Sequence, residues 1–271
     1  MFWKKKQEAV EPKWRWALAA TFVVTMVING LAGSTTVLGG LNTAAVSDSY
    51  PNLFAPSGVT FAIWGVIYLL MLGFIAYVFG IGRPKKSVLG TKTLTDVTKL
   101  LTLNLAFNSV WILAWQYKVI WLSVLLMVGI LVTLIMLVNK LRTSEVKGTE
   151  YVLAKLPFSV YFGWISVATV ANVTIWLVSL GWKGGSISEG TWMVAILLVA
   201  AAIGLVTALR NRDVAYLAVF VWAYAGILLK HLSPNGFDGK YPSTIVALTI
   251  LLALFLSVIV QLLPKFASKK R

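Results

Sequence analysis

The sequence predicts an all-α fold, a polytopic integral membrane helix bundle of about eight transmembrane helices. Three observations predict it. Of the 271 residues, 59% are hydrophobic and only 12% charged, where a soluble domain carries about 25% charged residues. The mean hydropathy is +0.84. The apolar residues gather in runs of about 20, the length that crosses a bilayer at about 1.5 Å per residue. Soluble globular, disordered, collagenous and disulfide-scaffold classes are thereby excluded. With no Cys and a single His, thiol catalysis and cysteine-ligated metals are excluded too, and little is left for a transition-metal site.

Taken in order, the spans are 14–38, 57–81, 98–116, 119–139, 156–180, 191–209, 214–230 and 243–263. Polar punctuation divides them, as in Gly82-Arg83-Pro84-Lys85-Lys86 and Arg210-Asn211-Arg212-Asp213. The third and fourth are parted only by Gln116-Tyr117-Lys118. No small-residue cleavage site follows the first run, which reads as a retained span and not a signal peptide. The connection from Leu41 to Pro56 has no Lys or Arg and is rich in turn formers, Ser47-Asp48-Ser49-Tyr50-Pro51-Asn52. A connection of this length without clear secondary structure suits a lid.

Of the 24 Lys and Arg, twenty fall on one side of this map, in the two tails and the second, fourth and sixth connections. Only Lys118, Lys183, Lys230 and Lys240 fall on the other. The positive-inside rule then places both termini in the cytoplasm. The formal net charge of +15 is a topology signal with attraction to anionic lipid, not a nucleic-acid footprint.

None of the nine acidic residues falls mid-span, which argues against a proton-coupled carrier or pump. The polar groups inside the spans are amides and hydroxyls: Asn29, Asn104, Asn108, Ser166, Thr169, Asn172 and Thr174. Of 12 Trp, Trp14, Trp16, Trp182 and Trp192 suit headgroup depth. Others fall mid-span with helical order. Asn104, Asn108, Trp111 and Trp115 make one stripe, as do Trp164, Ala168 and Asn172, and Trp64 and Tyr68 are four apart. Such faces suit a cavity in which rings grip a flat apolar ligand and amides orient it. They suit helix packing equally, because Asn side chains bond across helices in lipid.

Three span segments and one loop resemble the tryptophan-rich sensory protein family (TspO), which includes the mitochondrial translocator protein, or peripheral benzodiazepine receptor. Trp164-Ile-Ser-Val-Ala168-Thr169-Val-Ala-Asn172-Val-Thr-Ile-Trp176 is similar to that family's fifth-helix pattern W-x-x-x-A-T-x-x-N-x-x-x-W. Phe61-Ala-Ile-Trp64-Gly-Val-Ile-Tyr68 resembles the second-helix pattern, and Leu103-Asn104-Leu-Ala106-Phe107 resembles L-N-x-A-W with Phe107 in place of the usual Trp. Tyr50-Pro-Asn-Leu53-Phe-Ala-Pro56 is similar to the family's first-loop motif. The family's Pro lies four residues before the fifth-helix Trp, whereas Pro157 lies seven before Trp164. The spans from Thr191 onward have no counterpart in a five-helix fold, so the chain looks like an enlarged relative.

The resemblance implies a basic cytoplasmic tail over 1–13, a five-helix bundle over 14–182, an added three-helix segment over 183–264 and a basic tail over 265–271. It implies a cavity with Trp64, Tyr68, Asn104, Phe107, Asn108, Trp164, Ala168 and Asn172 at the ligand, and Tyr50, Leu53 and Pro56 in the lid. Family members bind porphyrins and synthetic isoquinoline-type ligands. The expectation is therefore a membrane receptor or sensor for a tetrapyrrole-like molecule, in a bacterial cell membrane, with no cofactor beyond porphyrin as ligand and no nucleic-acid partner. The resemblance admits a homodimer. A passive carrier of such a ligand and a light-dependent porphyrin-degrading enzyme are the alternatives; no nucleophile–base pair supports ordinary hydrolysis. The topology is checked on the naturally Cys-free chain: an impermeant thiol reagent applied from outside is expected to label Ser49→Cys and spare Ser87→Cys, and the reverse pattern refutes it.

Overall fold

A computed structural model describes residues 10–263. The tail cations Lys4, Lys5, Lys6, Lys265, Lys269, Lys270 and Arg271, and with them most of both predicted tails, lie outside the described residues. The described chain is helical without strands. Its helices are α1 (Pro12–Ser34), α2 (Thr43–Asp48), α3 (Ile63–Val78, entered through a 3-10 turn at Gly58–Ala62), α4 (Thr91–Gln116), α5 (Ile120–Arg142), α6 (Thr149–Ala154), α7 (Leu156–Ser179), α8 (Glu189–Asn211), α9 (Val214–Leu232) and α10 (Pro242–Leu262). Eight helical stretches are long and apolar enough to cross a membrane, matching the eight predicted spans in order. The protein is a polytopic helical membrane protein.

Local chemistry explains the boundaries. Pro12 and Pro242 sit in the first turns of α1 and α10, where a missing N–H leaves nothing unpaired. Lys118, in the left-handed region at φ 58°, reverses the chain between α4 and α5, with the Val119 N–H bonded to the Ala114 carbonyl at 2.8 Å. The three residues that alone part the third and fourth predicted spans thus complete a turn. Arg212 (φ 50°) does the same between α8 and α9, and the Asp213 carboxylate accepts from the Tyr216 N–H at 3.0 Å to cap α9. Asp213 also accepts from the Ser159 hydroxyl at 2.6 Å, tying the start of α9 to α7. Burial raises the Asp213 carboxyl above its ordinary value, while the Ser159 hydroxyl and Tyr216 N–H draw it partly back. In the predicted lid, Asn42 accepts from the Ala45 N–H at 2.9 Å and nucleates α2, a helical turn within a segment read as turns only.

At the basic end of the bundle, Glu150 on α6 is buried. It accepts from Tyr77 at 2.6 Å, Ser87 at 2.5 Å, and the N–H groups of Val88 and Leu89 at 3.2 and 3.3 Å. That acid holds the connection after α3 against α6. Around the bundle, Leu69, Leu125, Val206, Ile250 and Val260 are exposed, as side chains that face acyl chains would be.

Packing joins α1 to α4, α4 to α5 and α5 to α7; α9 lies against α7, α8 and α10. Two glycines set how closely α9 sits. A Cβ at Gly163 of α7 would lie 2.8 Å from the Tyr216 carbonyl oxygen and 2.9 Å from the Val219 Cβ. A Cβ at Gly226 of α9 would overlap the Thr60 side chain in the 3-10 turn. The segment predicted as an addition therefore shares its longest seam with α7. Gly226→Val is expected to cost about 1–3 kcal/mol, as overpacking does, and to lower the melting temperature in detergent. Leu229→Val, on an exposed position of the same helix, should leave it unchanged.

Candidate functional site

The 3-10 turn that ends the lid delivers Phe61 and Trp64 into the bundle. The Trp64 ring is the hub of an aromatic cage. It stacks on Tyr68 (5.5 Å between centroids, 21° between planes) and lies 6.0 Å from Trp111. Tyr161 and Trp164 meet it edge-on at 6.0 and 6.3 Å. Phe61 meets Trp164 at 6.0 Å, and Trp111 stacks on Trp115 at 5.9 Å. Offset and edge-to-face geometries at these separations are the ones the ring quadrupole favours.

One bridge centred on an amide side chain and one bond to the lid backbone fix the rings. The Trp111 indole N–H donates to Asn172 Oδ1 at 3.0 Å, and Asn172 Nδ2 donates to Ser123 Oγ at 2.8 Å, linking α4, α7 and α5. Trp115 donates to the Thr43 carbonyl of α2 at 3.2 Å. The Trp164 indole is different: it is 3% exposed, and its N–H has no acceptor among the described residues.

The rings enclose a cavity of about 40 Å³. Its walls come from the lid (Phe54, Pro56), α3 (Trp64), α4 (Trp111, Trp115), α7 (Trp164, Ala168, Asn172) and α9 (Ala223, Ile227). That volume holds a few waters, against the roughly 300–1,000 Å³ of a pocket around a drug-sized ligand. The cage is closed.

Of the residues singled out in the sequence, Trp64, Trp164, Ala168, Asn172 and Pro56 line this cavity. Tyr68 supports Trp64 from behind, its buried hydroxyl unpartnered. Asn104 faces α5 instead: its Nδ2 donates to the Ile130 carbonyl at 3.0 Å and to Thr133 at 2.7 Å. Asn108 bridges α1 and α7, accepting from Asn29 at 3.0 Å and donating to Tyr161 at 3.2 Å. Phe107 is wedged against Gly129 of α5. The stripe on α4 thus splits, its Asn half sealing helices and its Trp half lining the cavity. Tyr50 packs half-buried on the core, and Leu53 is buried in the lid.

What sequence reasoning missed is what closes the lid. Trp222 on α9 donates to the Thr60 carbonyl at 2.9 Å, and the Ser57 N–H donates to the Gly226 carbonyl at 3.0 Å. Lys230 pairs with Asp48 at 2.6 Å, and His231 Nε2 lies 3.0 Å from the Leu53 carbonyl oxygen. Gln116, read only as a turn residue, donates to the carbonyls of Leu38 and Leu41 at 3.2 and 2.7 Å and fixes the lid's near end. The α9 side-chain contacts join residues 162 to 182 positions apart, so no local signal marks them.

The TSPO-like protein family model matches residues 15–262. The chain belongs to this family. The match runs through all eight spans, so in the TSPO-like pattern the last three helices stand with the first five. Neither a curated protein nor a solved structure matches the chain.

In this TSPO-like chain the two kinds of Asn separate by experiment. Asn104→Leu and Asn172→Leu are each expected to lower stability by about 1–3 kcal/mol, the cost of unpairing buried polar groups. Only Asn172→Leu should shift the intrinsic Trp emission, because only it frees the Trp111 indole.

Proposed function

We propose that the protein is a membrane receptor of the sensor type, which takes a flat hydrophobic molecule carrying hydrogen-bond acceptors, such as a porphyrin, into the aromatic cage. The observation that carries this reading is the Trp164 indole N–H, buried at the cavity wall with no acceptor among the described residues. A buried donor without a partner costs about 1–3 kcal/mol, and a ligand carbonyl or carboxylate would remove that cost. Trp64, Trp111 and Trp164 supply the ring faces, and Ala168 keeps one wall of the cage small. Since the cavity is far below ligand size, binding must separate the rings. The element free to move is the lid, held to α9 by a few polar contacts, one of them the solvent-accessible Lys230–Asp48 pair. A receptor that opens only for its ligand converts occupancy into a displacement at one membrane face. We assign that face to the outside and both termini to the cytoplasm of a bacterial cell, on the twenty-to-four split of cations.

Protoporphyrin quenching of Trp fluorescence in the detergent-purified chain tests the reading. Trp164→Phe keeps a ring and loses the N–H; it should weaken binding about tenfold, the value of one charge-assisted hydrogen bond. Ala168→Phe should abolish binding while the protein stays folded. Affinity unchanged in both variants refutes the site. Ligand flux into vesicles would replace the receptor by a carrier, and a product formed only in light would replace it by an enzyme.

A further inference from the structure

A cavity larger than the aromatic cage lies beside it. A crevice of about 450 Å³ opens at the lid end between α7 and α8, within the size range of small-molecule sites. Leu177 and Val178 of α7 and Met193 and Ile196 of α8 form its apolar walls; Leu53 and Phe54 of the lid and Phe237 and Tyr241 of the α9–α10 connection close its ends. It exists only because the last three helices are present. Phe54 borders both this crevice and the cage, and is the one residue common to their linings.

The polar groups at its mouth are unequal. Asn52 Oδ1 takes the N–H groups of Phe54 and Ala55 at 3.0 and 2.9 Å, and Glu189, whose Oε2 takes the Tyr241 hydroxyl at 3.1 Å, keeps a carboxylate with further acceptor capacity at one edge. The Thr174 hydroxyl is turned back onto the Val170 carbonyl at 2.9 Å. The other polar side chains are donors. Lys183 is exposed and pairs with no carboxylate among the described residues. Trp182 and Trp192 stand edge to face at 4.8 Å, and neither indole N–H has an acceptor among the described residues. The crevice is therefore an apolar slot whose mouth carries the Lys183 ammonium and two indole N–H groups, with Glu189 to one side, and its Trp rings are of the kind that suit the membrane–water interface.

We propose that this crevice is a second binding site, separate from the aromatic cage, for a single-chain or single-ring amphiphile with an anionic head. The carboxylate pairs with Lys183 and accepts from the indoles, and the apolar body lies between α7 and α8. The free amphiphile is the occupant; an anionic phospholipid offers the same head charge but brings two chains to a slot that holds one.

The full chain in phosphatidylcholine nanodiscs, titrated with dibrominated stearate as a heavy-atom quencher of Trp, tests this. Saturable quenching is expected in the wild type. Lys183→Gln should raise the dissociation constant about tenfold, while the methyl ester of the same probe should bind both proteins alike. Ile196→Phe, which fills the slot, should abolish saturation with an unchanged melting temperature. Trp164→Phe should not alter stearate affinity, which keeps this result independent of the cage. Quenching that never saturates, or equal affinity in wild type, Lys183→Gln and Ile196→Phe, overturns the site. Loss of stearate binding in discs containing phosphatidylglycerol overturns the free amphiphile as occupant and gives the site to lipid.

Discussion

A bilayer offers side chains no hydrogen-bond partner, and the architecture follows from that constraint. Asn104 joins α4 to α5, Asn108 joins α1, α4 and α7, and Asn172 joins α4, α5 and α7. These amides make a framework of fixed crossings in a medium where apolar contact alone does not distinguish a helix from a lipid. The framework sets which Trp rings meet. Trp111 can lie 6.0 Å from Trp64 because Asn172 holds its indole. The exceptions to satisfaction are then informative. Trp164, whose donor has no acceptor, faces the cavity, whereas the unpartnered Tyr68 hydroxyl and Asn104 Oδ1 belong to residues that do not line it.

The second organising element is α9. Gly163 and Gly226 let it approach α7 on one side and the Thr60 turn on the other. Its far end carries the Lys230 and His231 contacts to the lid. Residues late in the chain thus hold shut a cage made by residues early in it. Removing the last three helices would take away Ala223 and Ile227 from the cavity wall, Trp222 from the lid, and one side of the outer crevice. The division at residue 182 is a boundary of sequence resemblance. In packing, α7 and α9 form one unit.

Eight spans, their order and the Trp-rich motif were legible because hydrophobic periodicity and spacing are local properties. Trp164, Ala168 and Asn172 were legible as one stripe for the same reason, since they lie on a single helix; only the resemblance joined Trp64, on another helix, to them. The division of labour between Asn104 and Asn172 was not legible, since an amide at membrane depth looks identical whether its partner is a helix or a ligand. Nor was the burial of Glu150, whose four donors come from α3 and the connection after it. The lid clamp lay furthest from reach. An isolated Lys230 or His231 carries no pattern, and its meaning rests on partners brought near by folding.

The two cavities differ in a way that bears on how a signal would arise. The aromatic cage is closed and its walls are interlocked rings, so occupancy there must displace something. The crevice is open and about 450 Å³ in volume, so occupancy there need displace little. Phe54 of the lid belongs to both. A body lying in the crevice would press on Leu53, whose carbonyl is the His231 contact, and a lid lifted from the cage would narrow the crevice from above. A shared wall between a ready site and a closed one is the minimal arrangement for coupling.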